Sequence, residues 1–304
     1  RNPEAIGWKI EGKVTNSISE NEIVITSENG EARRLLLDGQ KASIMKLGQI
    51  LRIVWLVPSM DRLWTEGSSG RRQFLDRLTL SYFPKHAEVS LLYEKAMKER
   101  NRLLKEKIYN DQWYNALEIE MAKSAVSIQK SRMQAIQYLT EAQNQLTGNF
   151  PKAELLLIDP EQNIITDEDE AVRALKCSRQ NDMIIGRTSV GPHKSDLQAI
   201  YLNKSMPAKD SSTGEQKALL ISIILSNAKS LAKISNVSPI VLLDEVSAHL
   251  DNERRAALYD EICQLGVQAW MTGTELELFS ELKDKAQFIE VTAADGISTL
   301  SVSS

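Results

Sequence analysis

The chain of 304 residues carries 37 Lys and Arg against 41 Asp and Glu, a formal net charge of −4, and is 42% hydrophobic and 26% charged. These values belong to an ordinary folded chain with room for one large or two average domains, and they exclude a disordered or fibrous one. The longest apolar stretch, residues 218–225 with one Ser inside, is far shorter than the ~20 residues of a membrane span. No secretory leader is visible, and Cys177 and Cys263 offer neither a disulfide framework nor metal-ligand spacing, so the expected compartment is the cytosol.

Residues 6–60 alternate as strands do, in IGWKIEGKVT, NEIVITSE and EARRLLLDGQ, followed by the apolar ILRIVWLVP. Ser-Glu-Asn-Gly at 27–30 is a hairpin turn signal. Gly-Ser-Ser-Gly at 67–70 marks a loop, with Ser69 placed to cap a helix from near Arg71. From about 71 to 147 the spacing is helical, interrupted by Pro84. Trp113, Leu117, Met121, Ala125, Ile128, Arg132, Ile136 and Leu139 recur every three or four residues, with Arg132 the one polar member. A helix of ~38 residues is roughly 57 Å long, so it either projects from the body or packs back on its predecessor. The stripe reads as a packing face.

AELLLI at 153–158 predicts a strand, and DEDEAVRALKCS a short helix whose acidic first turn suits the helix dipole. MIIG at 183–186 and LQAIYLN at 197–203 predict strands. A helix over 214–234, a strand over 239–244, a helix over 252–264, the strand VQAWMT, a helix near 275–284 and a closing hairpin follow. The alternation predicts an α/β layer. Charge is uneven: residues 71–132 hold 13 Lys and Arg against 8 Asp and Glu, and residues 241–304 hold 4 against 12. The basic middle is either a solvated helix face or a surface for an anionic partner.

Two short stretches carry chemistry. Ile240 to Leu243 predict a fully buried strand that runs straight into Asp244 and Glu245. Ligands collect at the carboxyl ends of parallel strands. An Asp there can hold Mg²⁺, and a neighbouring Glu can polarise an attacking water. A strand that merely exits to solvent on polar residues is the plainer reading of this stretch alone. Upstream, Ser212-Thr213-Gly214-Glu215-Gln216-Lys217 opens a helix. Ser212 and Glu215 make a capping box, while a helix N-terminus with a hydroxyl and a Gly also offers free N–H groups to a phosphate. The two stretches in this order, about 30 residues apart, are far more specific together than either is alone.

SSTGEQKALL followed by LLDEVSAHLD resembles the signature, Walker B and D-loop of the ABC-type ATPases of DNA repair, and within that class the RecF family. DRLWTEGSSGRRQFLDRL at 61–78, YEKAMKERNRLLKE at 93–106, GRTSVGPHKSDL at 186–197 and QAWMTGTE at 268–275 agree, so the resemblance covers most of the chain. It implies an α/β fold: an ABC-ATPase-like head of mixed sheet and helices with an inserted helical second lobe. The head would comprise residues 1–78 and 181–304, and the lobe residues 79–180. By position, Thr213 takes the place of the signature serine and would touch the terminal phosphate of ATP held by a second subunit, with Ser212, Gly214 and Gln216 beside it. Asp244 would be the Mg²⁺ ligand and Glu245 the catalytic base. Asp251 ends the D-loop, which crosses the dimer interface. Thr274 falls where transporters carry a switch histidine, which leaves the phosphate sensor open. The resemblance further implies an ATP-dependent homodimer and weak ATPase activity. It implies repair and replication at single-strand gaps in the SOS response, with DNA, RecR and RecO as partners and RecA loaded indirectly. Arg71, Arg72, Arg100, Arg102 and Lys105 are the DNA-contact candidates.

Such an ATPase needs a phosphate loop, G-x-x-x-x-G-K-[ST]. Gly7 to Lys13 nearly fits, but Val14 replaces the hydroxyl and the segment alternates as a strand. Gly67 to Gly70 lacks the Lys and the hydroxyl pair. The expectation is that Arg1 marks an N-terminal truncation of one strand–loop–helix unit. Alternative readings are a transporter ATPase subunit, which would carry an LSGGQ-like signature and a switch histidine, a longer-armed SMC or Rad50 relative, or a partial gene product that binds partners without ATPase activity. His86 is expected on the surface, His193 in a turn or packing role, and both cysteines as passive.

Overall fold

The computed structural model describes residues 6–15, 19–28, 30–146, 150–159, 164–235, 238–246, 250–282, 284–294 and 297–303. An antiparallel meander opens the chain: β1 (Gly7–Thr15), β2 (Glu20–Glu28), β3 (Arg34–Leu37) and β4 (Gln40–Lys41), each paired with the next. Gly7 to Lys13 therefore lies in an extended strand registered against Glu22 to Glu28, and the rejection of this segment as a phosphate loop stands. Residues 44–50 were expected within a strand region but form a helix, α1 (Ile44–Ile50). The Ser43 side chain accepts the Lys46 N–H and nucleates it.

The apolar 50s continue as β5 (Ile53–Leu56), which joins β9 (Ile240–Leu243) and β10 (Ala269–Met271) in a parallel sheet of order β10-β9-β5. The pairing aligns Leu56 with Leu243 and Met271 with Leu243, so three strand ends reach one rim together. Val54, Leu56, Val241 and Leu243 point into the main core. The central element of that core is α6 (Thr213–Ile234), whose residues from Gln216 to Ala228 are all buried. A helix apolar on every side belongs in an interior. α7 (Asn252–Leu265), capped by Asp251, packs beside it through Leu258, Tyr259 and Ile262.

Four further helices precede α6: α2 (Ser68–Tyr82), α3 (His86–Lys105), α4 (Asp111–Gln143) and α5 (Glu168–Ile185). α4 has 33 residues and packs back on α3. Arg100 meets Glu118, while Leu103 and Leu104 cluster with Tyr114, so the two run antiparallel. Met121, Ala125 and Ile128 of the predicted stripe join Tyr93, Ala171 and Leu175 in a second hydrophobic cluster. Leu139 instead belongs to the main core, together with the three-stranded sheet of β6 (Ala153–Ile158), β7 (Asp196–Tyr201) and β8 (Met206–Pro207). The chain closes with the hairpin β11 (Phe288–Ala294) and β12 (Ile297–Ser303).

Four further expectations are corrected. Ser69 does not cap a helix from near Arg71: α2 already begins at Ser68, with Gly67 at its N-cap and no side-chain cap bond, so residues 68–70 are helix and not loop. Residues 183–186 are not a strand but the end of α5, closed by Gly186 at φ 74, whose N–H bonds the Asp182 carbonyl at 2.7 Å. A short apolar run fits a helix end as well as a strand, and Gly in the left-handed region is a helix stop. The expected helix near 275–284 is a 3₁₀ segment, Leu276–Leu282. His86 is buried, not on the surface, and its Nε2 lies 2.9 Å from Asp76. The turn after Pro84 folds α3 onto α2 and brings the two together.

Candidate functional site

The two motif stretches are linked through α6, whose Lys217 donates to the Glu245 carbonyl at 3.4 Å beyond the end of β9. Ser212 caps α6, and its N–H and hydroxyl donate to Glu215 Oε2 at 3.0 and 2.9 Å. Lys204 pairs with the same carboxylate at 2.5 Å. The Lys204 hydrogen bond first, and then those from Ser212, hold the Glu215 carboxyl down at about 2. The capping box predicted from sequence is thus complete, and Glu215 is consumed by it. Thr213 is exposed on the first turn. A Cβ built on Gly214 would meet no atom within 4 Å. Gln216 was expected beside a ligand, but it is turned inward. Its Nε2 donates to Ser211 O at 2.9 Å and Lys209 O at 3.3 Å, which fixes the loop entering the helix.

At the strand end, the Asp244 N–H donates to Leu56 O at 2.9 Å, extending the sheet by one bond. Asp244 Oδ1 accepts from Thr272 Oγ1 at 2.6 Å, and that hydroxyl accepts the Glu245 N–H at 3.1 Å. Glu245 sits at φ 54, a left-handed conformation uncommon for a residue with a side chain. Asp251 is exposed, and its Oδ1 accepts the Arg254 N–H at 2.8 Å as the cap of α7. Residues 247–249 of the expected D-loop lie outside the described residues. Thr274 is exposed in the segment after β10. Among the described residues no group of three or more His, Cys, Asp and Glu could hold a metal. A lone Asp fits Mg²⁺ only where phosphate and water supply the remaining oxygens, which is that ion's habit.

Three polar residues here were missed by sequence reading. Thr272 follows the strand paired with β9, so parallel register puts it beside Asp244. Lys217 is buried within α6 and reaches Asp61 Oδ2 at 3.3 Å and Glu245 O at 3.4 Å. Its one sequence signal is a cation at the start of an apolar helix; Asp61 carries none.

The DNA-contact candidates separate by burial. Arg100 is fully buried and is corrected: it donates to Glu118, Asp182 and Thr188 at 3.1, 2.7 and 2.9 Å and to Leu175 O at 2.9 Å. No duplex can reach it in this fold. Arg71 forks onto Asp196 with two bonds of 2.8 Å. Arg72 bonds Ser68 and the Ser195 carbonyl at 2.9 and 3.0 Å, and burial lowers the basicity of its guanidinium. Arg102 and Lys105 are exposed; Arg102 pairs with Glu99 at 2.9 Å and lies over the Trp113 ring. Arg132, the polar member of the stripe, forks onto Asp76 at 2.7 and 2.9 Å. Burial opposes ionisation of Asp76, but hydrogen bonds from His86 and Arg132 hold its carboxyl at about 2. His193 has a packing role, between the Tyr93 hydroxyl at 2.7 Å and Thr188 O at 3.1 Å. Gly191 at φ 132 allows that contact, because a Cβ there would overlap the Tyr93 hydroxyl.

No helix among the described residues is long and apolar enough to cross a membrane. No protein-family model matches the chain. It is 43% identical over 277 residues to the DNA replication and repair protein RecF of Mesorhizobium japonicum, a match covering 88% of this chain and 73% of that protein. The RecF of Brucella suis is 45% identical over 278 residues, covering 88% and 72%. In fold, the chain is similar to a solved structure of the recombination mediator protein RecF with ATPrS, at a TM-score of 0.80 and 21% identity, covering 98% of this chain and 81% of that one. The same protein with ATP aligns at 0.79 and 22%, covering 98% and 82%. With over 40% identity to curated relatives across 88% of its length, the chain belongs to the RecF family of DNA replication and repair proteins.

Proposed function

We propose that the protein is an ATP-switched, dimerising DNA-binding protein of recombinational repair. One observation carries the reading: Thr213 and Gly214 open α6 with an exposed hydroxyl and an open backbone, on the helix that buries Lys217 against the Asp244–Glu245 loop. The subunit's own packing gives no reason for a glycine at 214. A phosphate approaching from a second molecule does, since the first-turn N–H groups and the dipole favour an anion there. In this reading Thr213 and the N–H groups near Gly214 bind the terminal phosphate of ATP held by the partner subunit, and Asp251 lies at the subunit boundary. Ser212 acts indirectly, by holding Glu215. Asp244 would be the protein ligand of Mg²⁺, which neutralises phosphate charge when bound. Glu245 accepts the proton of the attacking water.

The named function of the relatives and their solved complexes with ATP and ATPrS support this reading. The solved structures, described as RecF of the RecFOR pathway, also support a place in that pathway; in the same reading RecO and RecR are partners at single-strand gaps and RecA is loaded downstream. The helical region within 79–180, with Arg102 and Lys105 exposed, would be the lobe that meets DNA. In the full-length protein, Glu245→Gln is expected to keep ATP binding, slow hydrolysis and prolong the ATP-bound dimer on gel filtration. Asp244→Asn is expected to weaken Mg²⁺-dependent ATP binding instead. A Glu245→Gln protein with wild-type turnover and no gain in dimer would remove the base assignment.

A further inference from the structure

The Lys217 side chain is only 6% exposed. A buried ammonium is disfavoured unless it is paired, and its two acceptors belong to different parts of the fold: Asp61 Oδ2 at 3.3 Å and the Glu245 carbonyl at 3.4 Å. Asp61 lies in the segment before α2, and its other oxygen, Oδ1, is buried with no hydrogen-bond partner. Glu245 holds a left-handed backbone at φ 54. Such a conformation persists in a residue with a Cβ only when its surroundings over-determine it. The surroundings here are two side chains. Thr272 Oγ1 accepts the Glu245 N–H at 3.1 Å, and Lys217 donates to the Glu245 carbonyl. The residue is gripped at both ends of its backbone, once from the end of β10 and once from α6. Lys217 is also four residues after Thr213, one helical turn deeper on the same side of α6.

We propose that Lys217 is a positioning residue: with Thr272 it clamps the Glu245 backbone and ties it rigidly to the phosphate-facing end of α6. The inference rests on the assignment of Glu245 as the base. A shift of the first turn of α6, where the partner's nucleotide would bind, is carried by Lys217 to the Glu245 peptide. The carboxylate is then aligned on its water only when the Thr213 end is seated. This gives Glu245 a dependence on the neighbouring subunit that its own side chain does not provide.

The test uses the full-length protein with Lys217→Met, Lys217→Arg, Asp61→Asn and Thr272→Val, each in the wild-type and Glu245→Gln backgrounds. Misplacing a catalytic group by about 1 Å costs on the order of 100-fold in rate, so Lys217→Met is expected to lower kcat by about 10- to 100-fold while KM for ATP stays within about threefold. Lys217→Arg should recover most of the loss. Hydrogen exchange in the peptide spanning 244–246 should quicken in Lys217→Met without nucleotide. In the Glu245→Gln background Lys217→Met should add nothing further, as expected of residues acting as one unit. An additive loss in that background, a raised KM with unchanged kcat, or an Asp61→Asn protein that reproduces the whole kcat loss would overturn the clamp and leave Lys217 as an ion-pair partner. If Lys217→Met does not fold, Thr272→Val decides, since that site is exposed: a wild-type kcat there sinks the proposal. Wild-type turnover in Glu245→Gln alone removes the base assignment and this inference with it, whereas a slow Glu245→Gln beside an active Lys217→Met removes only the clamp.

Discussion

Replacing Arg100 by Ala removes a guanidinium that is fully buried and bonded to Glu118, Asp182, Thr188 and the Leu175 carbonyl. Both carboxylates it serves are also fully buried. Breaking a buried ion pair from one side costs about 3–5 kcal/mol, because the other charge is left uncompensated. Part of that cost is offset here. Glu118 keeps a second cation, Arg179, at 2.6 Å, and Asp182 keeps bonds from Ser178 at 2.7 Å and Ser189 at 2.6 Å. We therefore expect a loss near the lower bound, about 3 kcal/mol. With a urea slope of about 2–3 kcal/mol/M the unfolding midpoint falls by roughly 1 M. The assay is urea unfolding followed by circular dichroism, with Arg102→Ala as control. Arg102 is half exposed and paired with Glu99 on its own helix, so its loss should shift stability by under about 0.5 kcal/mol. Duplex binding measured as a function of salt completes the comparison. If Arg100→Ala unfolds at the wild-type midpoint yet flattens the salt dependence of DNA binding, Arg100 faces the duplex and the burial reasoning fails.

Arg102→Ala with Lys105→Ala should lower duplex affinity and reduce the slope of log K against log salt by about 0.9 for each phosphate no longer neutralised, with ATP binding intact; an unchanged slope moves the DNA site elsewhere. Gly214→Ala should leave the urea midpoint unchanged or raise stability by up to ~1 kcal/mol, since Ala is the better helix former and its Cβ meets open space, while ATP-driven dimerisation weakens; undiminished dimerisation argues against phosphate approach at that turn. The Asp76 carboxyl is held at about 2 in the fold, below its unfolded value near ~4. Its ionisation stabilises the protein above pH ~4, and that stability is lost as pH falls toward ~2. Asp76→Asn should be less stable than wild type at neutral pH, with the gap narrowing across that window in urea titrations. The 304-residue chain contains no G-x-x-x-x-G-K-[ST] sequence, so by itself it should bind ATP weakly in calorimetry; micromolar affinity would contradict this.

What was legible in the sequence was local or periodic. The apolar run into Asp244–Glu245 required a strand with two carboxylates at its end, and β9 supplies it, but the strand is not fully buried as expected: Val241 and Leu243 face the core while Leu242 is exposed. The Ser212–Glu215 spacing required a capping box, and both of its bonds form. The misread polar residues share one cause. Pattern tells which face a residue occupies only when its polarity matches that face. Arg100 and Arg102 read alike, as basic residues on one helix, but Arg100 is enclosed by Glu118 from α4 and by Asp182 from α5. Those partners are 18 and 82 residues away in the chain. His86 beside Lys85 looks solvated until α3 is folded onto α2. Lys217 and Thr272 reach Glu245 across 28 and 27 residues, and Asp61 reaches Lys217 across 156; no local spacing encodes such encounters. Met183 to Gly186 shows the remaining ambiguity, because three apolar residues and a glycine fit a strand or a helix end equally well.

The two exposed free thiols fall on different helices, Cys177 on α5 and Cys263 on α7. Cys177 sits among the helices that cluster around Tyr93 and Met121, whereas α7 packs against α6 and the main core. The natural sequence thus comes with two attachment points for spectroscopic labels, one on each hydrophobic unit, and no engineered cysteine is needed. Spin or fluorophore pairs at these positions would measure the distance between the units directly, with and without nucleotide. The same exposure makes the protein sensitive to oxidation and intermolecular cross-linking on storage, so any change in apparent oligomeric state has to be read under reducing conditions.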